Sequence, residues 1–124
     1  MIRKDAIKIA SDMIVDSPII SANGYISRDL FETHDKDTNF YMIGSMGLSS
    51  SIALGVALKN PRKRVLIFDG DGNILMNLGS LVTIGALQPK NFIHFIYKLK
   101  HVTANVFCFY LHFISYFDRN IVLT

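Results

Sequence analysis

Apolar positions along the chain change period several times, and each change marks an element. Ile2, Ala6, Ile9, Ala10, Met13 and Ile14 fall at helical spacing, which predicts an amphipathic helix over Ile2 to Val15 with one covered face. Pro18 resets the chain, and Pro18 to Ala22 (PIISA) is a short strand ending at Asn23-Gly24. Ser27 is placed to cap a helical turn through Leu30 and Phe31, and Glu32 to Asn39 is a polar loop. Phe40 to Ile43 is a second short strand that stops at Gly44. From Gly47 a run of Ala, Leu and small residues at helical spacing reaches Asn60-Pro61, a stop signal. Arg64 to Asp69 is a continuous apolar run, the type buried on both sides of a parallel sheet. Another helix lies within Asn73 to Leu87, starting a few residues after the glycines, and Asn91 to Tyr97 is the next buried strand.

Strands alternating with helices at these intervals predict an α/β fold, a parallel sheet with helices on both faces in three layers. The rhythm ends after Tyr97, where the sequence is aromatic and apolar with no clear period and no Gly or Pro punctuation.

Composition narrows the class. A chain of 124 residues suits one domain, and with half its residues apolar and no Gly/Ser or Pro linker it is expected to fold over most of its length. A net charge of +3, from basic residues scattered along the chain, is too weak to imply a nucleic-acid partner. Cys108 is the single cysteine, so no intrachain disulfide forms and a reducing compartment fits. Asp5, Lys8 and Asp12 interrupt any signal-peptide core, which makes the expected location cytoplasmic. The stretch His101 to Phe117 carries two histidines and an asparagine and sits at the low edge of membrane-span length, so a membrane role is not the expectation.

In a parallel sheet the site lies at the carboxyl ends of the strands, and Gly44 and Gly70 both follow strands. Asp71 is held between Gly70 and Gly72, where a phosphate could approach closely and a helix terminus favours an anion. One carboxylate with amide, backbone, water and phosphate oxygens suits Mg²⁺, whereas the bland alternative is a turn whose Asp caps a helix. The P-loop and the GxGxxG fingerprint are absent, and DGDGN lacks the frame of a calcium loop. The four histidines form no compact ligand pattern, and His94, inside a strand, is expected to be a satisfied core residue. Cys108 has no identifiable base, and Ser49 to Ser51 lack the GxSxG elbow. Arg28 follows a strand exit, where it meets an anionic substrate, a neighbouring subunit or solvent.

Three stretches in one order, NGYISRDL, NFYMIGSMGLSSSIALGVAL and RVLIFDGDGNILMNLGSLVTIGALQPKNFIHFI, resemble the diphosphate-binding domain of thiamine-diphosphate-dependent 2-oxoacid decarboxylases. Sulfopyruvate decarboxylase beta subunits and the carboxyl-terminal half of phosphonopyruvate decarboxylases are the nearest in pattern. The likeness covers residues 1–96, and 97–124 reads as a divergent or frameshifted tail of a shortened domain. By this resemblance Asp71 binds the Mg²⁺ that anchors the cofactor diphosphate, and Gly70, Gly72 and Asn73 shape the phosphate loop. Gly44 accepts, through its carbonyl, a hydrogen bond from the aminopyrimidine. Met46 supports the thiazolium ring, and Ser45 and Gly47 line the same pocket. Asn23, Gly24 and Arg28 match the segment near the reacting end, with Asn23 and Arg28 toward the substrate.

Two departures accompany the likeness. Lys98 and Leu99 stand where the family carries an Asn-Asn or Asp-Asn pair whose amide is a further metal ligand, and lysine has no acceptor oxygen. The family's catalytic glutamate belongs to a separate pyrimidine-binding domain that no part of this chain matches, so no catalytic residue is assigned here. The resemblance therefore implies a cofactor-binding lyase subunit that needs a pyrimidine-binding, alpha-type partner, acts on a small anionic 2-oxoacid and works as an oligomer. A noncatalytic truncated remnant and an acetolactate-synthase-like carboligase fragment stay open as alternatives. A sheet that lost its last strands would expose apolar surface.

Overall fold

The computed structural model describes residues 3–97 and the strand 121–123. Among the described residues five helices, α1 (Arg3–Asp12), α2 (Tyr25–His34), α3 (Ser49–Lys59), α4 (Asp71–Leu75) and α5 (Gly79–Leu87), alternate with strands, except that α5 follows α4 directly. The strands are β1 (Ile19–Ser21), β2 (Asn39–Tyr41), β3 (Val65–Gly70), β4 (Phe92–Tyr97) and β5 (Ile121–Leu123). They form one sheet in the order β2-β1-β3-β4-β5, and every pairing is parallel. Chain order reverses between β1 and β3, and loops that leave these two strands at their carboxyl ends diverge to opposite faces. The divergence opens a crevice at that end of the sheet.

Two apolar clusters form the core, one on each face. On one side Ala6, Ile7, Ala10, Ile26 and Leu30 of α1 and α2 pack on Ile19, Leu66 and Phe68. On the other, Ala53, Leu54 and Ala57 of α3 and Ile84 of α5 pack on Ile20, Val65, Ile67 and Phe92. The three-layer expectation holds, and strand alternation explains it. In β3 the residues Leu66 and Phe68 face α1 and α2, while Val65 and Ile67 face α3 and α5.

Several local expectations are corrected. Ser27 does not cap α2. The helix starts at Tyr25 with Gly24 at its N-cap and no capping side chain, and Ser27 Oγ lies within 2.8 Å of Ala22 O and of Ser21 Oγ. Glu32, Thr33 and His34 belong to α2 rather than to a loop. β2 ends at Tyr41, and Ile43 is 96% exposed. The segment after the glycines is two helices, the first beginning at Asp71 itself. β5 pairs with β4 in parallel, with His94 opposite Ile121. Residues 98–120, which include most of the expected tail, lie outside the described residues. Among the described residues no helix is long and apolar enough to cross a membrane.

Candidate functional site

The loops at the carboxyl ends of β1, β2 and β3 meet above the crevice. After β1 the chain passes Asn23 to Gly24, whose φ of 82° is a left-handed conformation that glycine adopts without strain, and enters α2. After β2 it turns through Ser45 at φ 53° and Gly47 at φ 98°. Ser45 is a non-glycine residue held in the left-handed region, a local strain that the surroundings must offset. Gly47 could not be replaced freely: a Cβ there would meet Met76 Cβ at 3.0 Å and Asn77 Cβ at 3.1 Å.

After β3, Gly70 leads directly into α4 with Asp71 as its first residue. The Asp71 side chain is almost fully buried and accepts a hydrogen bond from Gly72 N at 2.8 Å. Together these loops enclose a cleft of about 240 Å³ whose walls include Asn23, Gly24, Met46, Gly70, Asp71, Gly72 and Asn73. Met46 lies across from the phosphate-type turn, with its Cε 3.4 Å from the position that a Cβ on Gly72 would take. A flexible thioether thus rests over bare backbone, and the floor between Met46 and Asp71 carries no side chain.

Of the residues singled out from sequence, Asn23, Met46, Gly70, Asp71, Gly72 and Asn73 line one cleft. Gly44, Ser45, Gly47 and Arg28 are not among its lining residues. Gly44 and Ser45 are exposed on the rim, and Gly47 is buried behind it. Arg28 sits one helical turn along α2, exposed, with its guanidinium 5.4 Å from the Tyr25 ring centroid, a cation–π contact.

Sequence reasoning missed five wall residues: Arg3, Ala22, Tyr25, Ile26 and Tyr97. Tyr97 ends β4 opposite Gly70 and packs its ring against Phe68, with ring centroids 5.9 Å apart. Burial pushes its phenol well above the usual range, partly opposed by the Arg3 guanidinium. Arg3 in turn is paired to Asp29 at 2.7 Å. Only the position of Tyr97 at the end of a buried strand signalled it.

Behind the cleft lies a polar network that the sequence did not reveal. Asp69, fully buried, accepts from Gly70 N at 2.9 Å, Asn73 Nδ2 at 2.6 Å and Ser49 Oγ at 3.1 Å, and lies 3.1 Å from His94 Nε2. The carboxylate is acceptor-only, so His94 donates through Nε2, and its Nδ1 finds no donor among the described residues. His94 is thus the core residue expected from sequence, satisfied at one nitrogen.

The described residues contain no group of three or more His, Cys, Asp or Glu that could hold a metal ion by themselves. Asp71 is the carboxylate that faces the cleft, and a hard cation there would take its other ligands from backbone, water and a bound phosphate. A side-chain-free floor between a carboxylate and an apolar prop fits an elongated ligand with an anionic end and a ring end.

An open parallel α/β sheet with its cleft at the switch point and a Gly-Asp-Gly turn defines a phosphate-cofactor-binding domain. The profile of the family described as thiamine pyrophosphate enzyme, C-terminal TPP binding domain, matches residues 23–98, and the chain belongs to that family. The sulfopyruvate decarboxylase subunit beta of Methanocaldococcus jannaschii is 52% identical over 92 residues, covering 73% of this chain and 48% of that protein. The same subunit of Methanococcus maripaludis is 47% identical over 91 residues, with 73% and 49% covered. The phosphonopyruvate decarboxylase of Streptomyces viridochromogenes is 43% identical over 89 residues, with 72% and 22% covered. The chain thus spans about half the length of the beta subunits it matches.

Proposed function

We propose that this chain is the cofactor-binding subunit of a thiamine-diphosphate-dependent carboxy-lyase acting on a small anionic 2-oxoacid such as sulfopyruvate or phosphonopyruvate. The observation that carries the reading is that Met46 and Asp71 face one cleft across the bare backbone of Gly72. In this reading Asp71 holds Mg²⁺, and the backbone of Gly70, Gly72 and Asn73 receives the diphosphate. Met46 props the ring end and keeps water from beneath it. The Gly44 carbonyl accepts from the aminopyrimidine, and Ser45 and Gly47 shape the turn that presents it. Asn23 in the cleft wall and Arg28 on the rim meet the acidic head of the substrate. Bound thiamine diphosphate supplies the electron sink that loss of CO₂ from a 2-oxoacid requires, so the protein's task is anchoring and orientation.

The cleft volume of about 240 Å³ falls below the roughly 300–1,000 Å³ that encloses a drug-sized ligand, which supports a second wall from a pyrimidine-binding, alpha-type partner. Apolar side chains exposed beside the cleft, Ile43, Leu48 and Met76, supply surface for such a partner. A cytoplasmic location, consistent with the lone cysteine, belongs to the same proposal.

One observation favours a second reading, a noncatalytic remnant. The residue that follows Tyr97 in the sequence, at the position where the resemblance expects a metal-ligating amide, is Lys98, a cation with no acceptor. Calorimetric titration with thiamine diphosphate and Mg²⁺, with the chain alone and mixed with a pyrimidine-domain subunit, separates the two. Binding in either arm supports the subunit, and no heat in both leaves the remnant. Assays with sulfopyruvate and phosphonopyruvate then identify the acid.

A further inference from the structure

The two loops proposed to hold opposite ends of the cofactor are joined by a side chain whose polar atoms are all engaged inside the protein. Asn73 Oδ1 accepts from Gly47 N at 2.6 Å. Its Nδ2 donates to Asp69 Oδ1 at 2.6 Å and to Ser49 Oγ at 2.8 Å. Asn73 is 5% exposed and Asp69 fully buried, so these bonds form where solvent cannot substitute for them. The amide has no hydrogen left for a ligand, although the residue borders the cleft.

Asp69 is fixed in turn from three elements. Gly70 N holds it from its own strand, His94 Nε2 from β4 and Ser49 Oγ from the first residue of α3, whose amino end favours a carboxylate. Asn77 Nδ2 adds a bond to Gly47 O at 3.2 Å, so the Gly47 peptide groups are gripped at both N–H and C=O.

We propose that Asn73, held by Asp69, is a positioning residue that fixes the height of the Met46 loop above the Gly70–Gly72 turn, so that the ring end and the diphosphate end of one cofactor are bound together. The inference rests on the cofactor reading above and deepens it. The side chain acts through Gly47, one residue from Met46, and touches no reacting atom. Its loss would leave the Asp71 turn intact while freeing the opposite wall.

The test compares two probes, thiamine diphosphate and inorganic pyrophosphate, each titrated with Mg²⁺ against the full chain. Pyrophosphate needs the Asp71 turn alone, whereas thiamine diphosphate needs both loops. For Asn73→Ala, thiamine diphosphate affinity should fall about 30-fold and pyrophosphate affinity less than about 3-fold, the scale of one or two buried hydrogen bonds. Asp69→Ala also releases Gly70 N of the phosphate turn, so it should weaken both probes while still costing thiamine diphosphate the larger factor, and Asp69→Asn, which keeps an acceptor for Asn73, should restore most of the loss. The double variant Asn73→Ala with Asp69→Ala should be no worse than the poorer single variant, because both break one linkage. If Asp69→Ala does not fold, as judged by circular dichroism, Ser49→Ala replaces it and should give a split of about 5-fold.

Equal loss for both probes, or additive effects in the double variant, would overturn the proposal while leaving the cofactor reading standing. Failure of the unaltered chain to bind thiamine diphosphate, both alone and mixed with a pyrimidine-domain subunit, would remove the cofactor reading itself.

Discussion

The two faces of the sheet are built to different ends. Under α1 and α2, Phe68 packs edgewise on Phe95 and Tyr97, with ring centroids 5.5 and 5.9 Å apart, amid aliphatic neighbours. Under α3 and α5 the apolar cluster gives way, toward the carboxyl end of β3, to Asp69, His94, Ser49 and Asn73, all buried. Apolar packing is non-directional and tolerates small shifts, whereas a satisfied hydrogen-bond network admits one geometry. The first face holds the fold together; the second sets where two loops stand.

Stability should therefore be concentrated on one face and ligand geometry on the other. Phe68→Ala removes a fully buried ring and should cost about 3–5 kcal/mol, read as a lower midpoint in urea. Such a loss could unfold a domain of this size, since native stability is itself only about 5–15 kcal/mol. Denaturation at the same midpoint as the parent chain would show that this face is not the mainstay of the fold.

Gly47→Ala comes next and tests the other face where it meets the loop. The new methyl would stand 3.0 Å from Met76 Cβ and 3.1 Å from Asn77 Cβ, closer than ordinary van der Waals contact, and φ of 98° is unfavourable for alanine. The expected cost is about 1–3 kcal/mol, together with loss of thiamine diphosphate binding because the Met46 turn is displaced.

Gly72→Ala sharpens the contrast further. Here φ is not in the left-handed region, and a Cβ would make an ordinary contact with Met46 Cε at 3.4 Å. Within α4 alanine is the better helix former, so stability should hold or rise by up to about 1 kcal/mol. The methyl nevertheless occupies the bare floor of the cleft, and thiamine diphosphate affinity should drop by about 10-fold or more, the equivalent of about 1.4 kcal/mol. A variant that binds as well as the parent would place the cofactor elsewhere.

Much of the fold was legible in the sequence because it is written in local patterns. The continuous apolar run of β3 required burial on both sides, and the small-residue helix after Gly47 could pack nowhere but close against the sheet. Gly70, Asp71 and Gly72 announced a turn at a strand end, and that turn lines the cleft. What escaped is non-local. Asp69 looked like the last residue of a strand, since its partners Ser49 and His94 lie 20 and 25 positions away. The break between α4 and α5 escaped for the same reason. Asn77 is drawn to Gly47 O across 30 positions, and no apolar period records such a bond. Helix α2 began earlier than expected because Gly24, rather than a hydroxyl side chain, supplies its N-cap.

The smallest expected effect lies on the outside of the packing face and asks whether ion pairs there matter at all. Lys4 Nζ of α1 lies 2.7 Å from Glu32 Oε2 of α2, and both groups are solvent-exposed. The hydrogen bond and charge of Lys4 lower the Glu32 carboxyl below its ordinary value of 4.5. A carboxyl with a depressed folded value stabilises the native state fully above pH 4.5, and that contribution is lost as pH falls through the folded value. Lys4 is raised above 10.5 by the same bond, so its part is complete below pH 10.5 and fades only as pH rises through the folded value. Exposed pairs are screened by salt and hold two long side chains at an entropic cost, so Glu32→Gln should barely move the thermal midpoint at neutral pH. Its visible consequence should be a flatter acid limb of the stability profile below pH 4.5, shrinking further in 1 M salt, where the Debye length is about 3 Å. A large loss of stability at neutral pH would mean that charge, and not the apolar cluster beneath it, docks α1 on α2.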